Sequence, residues 1–413
     1  MLRFYHDGHN FTESDVNSIS FINLSNKDKD KVGFMGIGFK SAFEATEKPE
    51  IHSPPFSFLF NNSVEGGFIL PQNTKPKQIK NSYTTLICVA FKNQNIYELI
   101  NRELIPEEQI DDGVGFSRKT FLHLLKENNN KLSGITDVET PYVKFNITKG
   151  ESSCTYKIND ITNEEEARSE IWLRLEKQFK PNQTQIADFL ASRNIKNEEL
   201  EKVGWEEIIS TIIPLTKKGS IYSPDTEYNG ILNVYLPTKI KIGLNFDIQG
   251  NFIVDATRKN IKNIHGEWNK GLFNNVSNLL IDIFKWCKLF SNPELIDLPN
   301  FYSLIPEWDK IEFIPPNILE NIKSNFIKLF NSNQLIPIET NSSKKIHYKY
   351  PYECIVVDNV ILDLFGKRTI EKLSKKKVVL IVGSKTGTSI LFSKFLLLCT
   401  VCLSKPQFSR IYL

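Results

Sequence analysis

Gly33-Phe34-Met35-Gly36-Ile37-Gly38-Phe39-Lys40-Ser41 places three glycines and a lysine within nine residues. Lacking a Cβ, glycine lets backbone N–H groups approach phosphate oxygens closely. A helix opening directly behind such a run turns the positive end of its dipole toward the same oxygens. Lys40 adds a point charge. Spacing separates this run from two familiar phosphate loops. The dinucleotide fingerprint runs G-x-G-x-x-G after a strand, whereas the order here is G-x-x-G-x-G. A Walker loop needs its lysine directly after the last glycine, and Phe39 intervenes. The same residues also suit a tight loop that packs a helix on a sheet, and spacing alone leaves both readings open.

Upstream, His6-Asp7-Gly8-His9-Asn10-Phe11 has turn chemistry, and a carboxylate there can accept from an adenine amino group while the glycine lets the base lie on the backbone. Phe4-Tyr5 reads as the end of a strand, so the chain is expected to begin inside an element. Thr12-Glu13-Ser14-Asp15-Val16 supplies an N-cap and an acidic first turn for a helix reaching Ile22. Downstream, a helix is expected over residues 39–46, and strands of one sheet from Pro49, over 56–60 and over 84–91, the last headed by Thr84-Thr85. Residues 163–179 and 183–213 read as helical, 230–254 as β-rich, and 268–290 as a strong amphipathic helix. Pro293, Pro299, Pro306, Pro315 and Pro316 mark a linker before a last small unit. The expected fold class is α/β of the α+β kind. Its divisions are 1–110, a middle domain 111–290, a small C-terminal unit 291–382 and an unassigned tail 383–413.

Composition bounds the function. The chain has 413 residues, and at about 150 residues per domain that allows two or three domains. With 40% hydrophobic and 24% charged residues it can bury real cores, which excludes a disordered chain. Fifty-one basic against 48 acidic residues give a net charge of +3, which excludes a strongly polyanion-seeking protein. Lys344-Lys345 and Lys375-Lys376-Lys377 read as solvated surface, so no nucleic-acid site is legible. Six cysteines make no disulfide scaffold. Cys399-Thr400-Val401-Cys402 lacks a second pair, and no pair among the six histidines has metal-ligand spacing on a clear helix, so no metal site is assigned. No apolar signal segment follows Met1, and the apolar stretch 389–403 is short for a bilayer span and carries Lys394. An intracellular protein without a membrane partner is expected.

Taken in order, the Asp-Gly turn, a lid-length gap, the glycine run and a Thr-led strand resemble the Bergerat-fold ATPases: gyrase, heat-shock chaperones of the HSP90 type, histidine kinases and mismatch-repair proteins (the GHKL superfamily). The wording is most similar to the sacsin-like branch over His6 to Val16 and Val32 to Phe43, continuing through Pro49-Glu50-Ile51-His52-Ser53. Looser similarity to that family's middle domain lies in Tyr235-Leu236-Pro237-Thr238, Phe246 to Phe252, Asp255-Ala256-Thr257-Arg258 and Trp268-Asn269. Leu335-Ile336-Pro337 and Pro351-Tyr352-Glu353 look like the small unit that often follows it.

The resemblance implies a two-layer ATP-binding sandwich in a chaperone-like module, with ATP and Mg²⁺ as cofactors and protein clients as partners. Asp7 would face the adenine amino group, with Gly8 beneath the base and Thr84 nearby. Gly33, Gly36, Ile37, Gly38 and Phe39 would wrap the phosphates, and Lys40 and Ser41 would open the next helix. Arg258 would reach the γ-phosphate as the catalytic residue. The family pattern Asp-x-Gly-x-Gly is altered here: His6 stands in the Asp place, Asp7 is one residue late, and Asn10 replaces the second glycine. Lys259 follows Arg258, where the chaperone branch commonly has Glu. The family's water-activating and Mg²⁺-holding helix should precede Phe4. The chain is therefore expected to lack it, to bind ATP weakly and to hydrolyse it little or not at all. Two alternatives stay open: an interaction module that keeps the fold without turnover, and a nucleic-acid-associated defence ATPase.

Overall fold

The structure is a computed structural model of the chain. It describes residues 1–20, 39, 42–67, 69–80, 82–104, 117–128, 131–140, 142–152, 154–163, 168–192, 205–234, 236–255, 259–290, 295–339, 346–358 and 378–382. The fold is of the α+β class and divides into two compact units: Met1–Ser117 with Thr140–Tyr142, and Arg118–Glu139 with Val143–Leu413.

The first unit runs β1 (Leu2–His6), α1 (Glu13–Ser20), α2 (Ala42–Ala45), β2 (Glu50–Ser53), β3 (Phe56–Leu59), β4 (Gln72–Asn73), β5 (Thr85–Val89) and α3 (Gln94–Glu103). Its five strands form one antiparallel sheet in the order β1-β5-β2-β3-β4. Side chains alternate between the two faces of a strand. Ile51 pairs with Phe58 on one side and with Ile87 on the other, so the three share a face. Onto that face pack Val16 and Ile19 from α1, and Phe39 and Phe43 at α2, with Phe60 completing the cluster. α1 begins where expected, at a reciprocal cap. The Asp15 N–H donates to Thr12 Oγ1 at 3.2 Å, and the Thr12 N–H donates to Asp15 Oδ2 at 2.8 Å.

The second unit contains α4 (Thr120–Leu124), β6 (Lys126–Asn128), β7 (Lys131–Ser133), β8 (Asp137–Glu139), β9 (Lys144–Lys149), β10 (Thr155–Asp160), β11 (Arg168–Phe179), α5 (Gln183–Ser192), β12 (Glu207–Lys218), β13 (Ile221–Pro224), β14 (Ile231–Val234), β15 (Leu236–Lys241), β16 (Asp247–Gln249) and α6 (Glu267–Leu289). After these come α7 (Leu298–Ser303), α8 (Pro316–Asn331), β17 (Ile336–Glu339), β18 (Ile346–Lys349), β19 (Cys354–Asp358) and β20 (Val378–Val382). Among the described residues nine strands form one sheet, ordered β15-β14-β16-β12-β11-β10-β9-β8 with β13 beside β12; within it only β14 and β16 pair in parallel. α6 packs on β11 and β12 and also against α5, α7 and α8. Buried Leu272, Val276, Leu279, Leu280 and Ile283 recur along it at helical spacing.

Three expectations about this unit are corrected. Residues 168–179 form a strand, not a helix, and within the predicted helix over 183–213 the described residues form a helix over Gln183–Ser192 and then a strand, β12, from Glu207. Trp172, Leu173, Arg174 and Leu175 are all buried, so both faces of β11 are covered. Such a strand lacks the alternation that separates it from a helix in sequence. The proline-marked stretch also differs from a linker. Pro299 and Pro316 lie in the first turns of α7 and α8, where a missing N–H costs nothing, and Phe301, Tyr302, Leu304, Ile305 and Trp308 are buried.

Candidate functional site

β1 ends at His6 and β5 begins at Thr85, and the two residues are direct cross-strand partners. Both lie on the face that carries α1 and α2, because they alternate in step with Ile87. Ser53, two residues beyond Ile51, shares that face. Its hydroxyl hydrogen-bonds Thr85 Oγ1 at 2.6 Å and accepts from the Phe11 N–H at 2.9 Å. Ser53 and Thr85 are fully buried, so these bonds satisfy hydroxyls that would otherwise be costly to enclose. Together they fasten the turn over residues 7–11 to the sheet.

His6 stands at the rim of this arrangement. Its Nδ1 accepts from the Gly8 N–H at 3.2 Å, which leaves the proton on Nε2. Burial lowers the His6 pKa and the neighbouring Asp7 carboxylate opposes the shift. The ring is therefore neutral at physiological pH and presents an N–H donor. Asp7 is exposed on the turn. Thr84 does not project from the strand. Its hydroxyl donates to Gly8 O at 2.6 Å, and its N–H donates to His6 O at 3.0 Å, so it closes the turn on β5. Phe39 turns its ring into the apolar cluster, 5.6 Å from Phe60 and 6.4 Å from Phe43. Gly33, Gly36, Ile37, Gly38, Lys40, Ser41 and Arg258 lie outside the described residues, as do the tail and its cysteine pair.

Ser53 and Thr85 escaped the sequence reading. The tandem Thr84-Thr85 carried the signal: counting back along β5 from apolar Ile87 puts Thr85, not Thr84, on the helix-bearing face.

A second polar cluster lies within the second unit. Arg118 pairs with Asp160 at 2.5 Å and with Glu170 at 2.8 Å. The buried Asp247 carboxylate accepts from the Tyr228 hydroxyl at 2.9 Å and the Ile231 N–H at 2.8 Å, with the Lys119 ammonium 3.3 Å away. Burial raises the Asp247 pKa, opposed first by Lys119 and then by those hydrogen bonds. These contacts tie the residues before α4 to the sheet, and their groups are engaged with one another.

No helix among the described residues is long and apolar enough to cross a membrane. No protein-family model matches the chain. The chain is similar to Protein NO VEIN of Arabidopsis thaliana, with 25% identity over 302 residues, covering 67% of this chain and 10% of that protein. The likeness is distant, and the chain spans about a tenth of that relative's length.

Proposed function

We propose that the first unit binds ATP as a Bergerat-type module of the sacsin-like, chaperone-type kind. The observation that carries this reading is the packing of the two helices that flank the glycine run in sequence: α1 and α2 both pack on the sheet face that also holds His6, Ser53 and Thr85. Backbone N–H groups of the run would hold the phosphates. At the base end, His6 rather than Asp7 lies on the face, and its Nε2–H would donate to a purine ring nitrogen. This replaces the acceptor role of a carboxylate. The Thr12 hydroxyl and N–H both engage the α1 carboxylate Asp15. Mg²⁺ is accordingly proposed only as the ion that ATP carries with it, and no step depends on it.

The test is calorimetric titration of ATP into the wild-type chain and into Gly38→Val. A Cβ and two methyls at Gly38 would stand where a phosphate must approach the backbone. Saturable binding by the wild type is expected, weakened by about tenfold or more, that is by about 1.4 kcal/mol, in a variant with an unchanged circular dichroism spectrum. A wild type that takes up no ATP, or a folded variant that binds equally well, would refute the assignment.

A further inference from the structure

The opposite face of the same sheet brings together three metal-ligating side chains. Glu50 of β2 pairs directly with Cys88 of β5, and His52 follows two residues after Glu50 on the same face. One carboxylate oxygen, one imidazole nitrogen and the Cys88 sulfur all lie within 4.8 Å of one another. His52 and Cys88 are each only 1% exposed. The segment 74–80 lies over them. The Thr74 N–H donates to Ser57 O, the Lys77 ammonium bonds the Glu50 carboxylate, and Lys80 sits 5.0 Å above the Tyr5 ring. His52 Nε2 faces Glu50 at 3.2 Å, while its Nδ1 faces the Lys77 N–H at 3.4 Å.

We propose that Glu50, His52 and Cys88 form a binding site for a zinc-type divalent cation, and that Lys77 occupies it as an internal cation when metal is absent. A mixed oxygen, nitrogen and sulfur donor set suits zinc, whereas magnesium and calcium favour oxygen alone. Three protein ligands leave a fourth position for water. Charge balances: as the metal–sulfur bond forms, the Cys88 thiol releases its proton to solvent. Lys77 departs as the ammonium and leaves Glu50 as a carboxylate, so one carboxylate and one thiolate offset the divalent ion. His52 would bind through Nε2, its proton moving to Nδ1. The Lys77 N–H facing Nδ1 must then withdraw. One segment supplies both obstacles, the ammonium and this N–H, so metal and the closed segment exclude each other. Both strands are paired along this stretch, so the ligands are presented by rigid backbone. The site lies on the other face from the nucleotide reading and does not depend on it.

The probe is Co²⁺ titrated into the reduced full chain and then displaced by Zn²⁺. Thiolate-to-cobalt charge-transfer absorption saturating at one equivalent is expected. Cys88→Ser should abolish the band and weaken Zn²⁺ binding by about 100-fold or more, at least the loss that follows removal of an outer-shell partner. Lys77→Met should tighten binding about two- to fivefold, the worth of a partly exposed ion pair. Zn²⁺ should also speed tryptic cleavage after Lys77 in the wild type, which needs no variant to fold. Absence of the band in folded wild type, its persistence in Cys88→Ser, unchanged or weaker binding in Lys77→Met, or Zn²⁺ protection of the Lys77 bond would each overturn the proposal.

Discussion

His123 shows how a single residue can set a pH response. It is buried in the second unit, with Nδ1 3.5 Å from Ser210 Oγ and no hydrogen-bond partner at Nε2. Burial drives its pKa well below 6.5, and the Arg174 and Lys119 charges push the same way. The folded ring stays neutral at a pH where the unfolded ring takes a proton. Its contribution to stability is therefore complete above about pH 6.5 and is lost progressively as pH falls below that value, toward the folded-state pKa. One proton taken up on unfolding has a limiting slope of about 1.4 kcal/mol per pH unit. Denaturant unfolding at pH 7.5 and 5.5 should show this loss in the wild type and a loss smaller by about 1 kcal/mol in His123→Leu. Equal losses in the two proteins would remove His123 as the cause.

At the level of elements, β14 depends on a close approach of backbones. A Cβ built on Gly230, just before β14, would lie 1.9 Å from Phe246 O and 2.8 Å from Leu244 O. The Gly230 N–H donates to that same Leu244 oxygen at 2.8 Å, and the Ile242 N–H donates to Gly230 O at 3.1 Å. Backbone atoms held this way have little room to give. Gly230→Ala should cost about 1–3 kcal/mol, the range for overpacking a tight site, read as a lowered thermal midpoint. A midpoint equal to wild type would mean that the strands here can separate without penalty. The elements also mark where sequence patterns mislead. α6 was legible because one of its faces is apolar at helical spacing. β11 was not legible, because its burial on both faces erases the period that names a strand.

Over the molecule as a whole, each unit has its own apolar centre. In the second, α6 carries Phe284, which is fully buried and stacks on Tyr302 at 4.9 Å, with the Phe330 ring 5.8 Å away. The Tyr302 hydroxyl donates to Leu335 O, so this aromatic cluster joins α6, α7 and α8 to the segment leading into β17. Phe284→Ala should cost about 3–5 kcal/mol, the sum of lost burial and an unfilled cavity, measured by chemical denaturation. A cost below about 1 kcal/mol would show that the neighbouring rings collapse into the space.

The sequence by itself determined the α+β class, the capped start of α1, four of the five strands of the first sheet (all but β4) and the amphipathic α6, because each rests on a local pattern of caps, turns or periodicity. It also singled out the glycine run. Only the tertiary structure decided the rest, because it depends on register between strands distant in sequence. Pairing β1 with β5 placed His6 beside Thr85 and gave Thr84 to the turn. Pairing β2 with β5 brought Cys88 to Glu50 and His52 across more than 30 residues of chain, a grouping without any motif spacing to announce it.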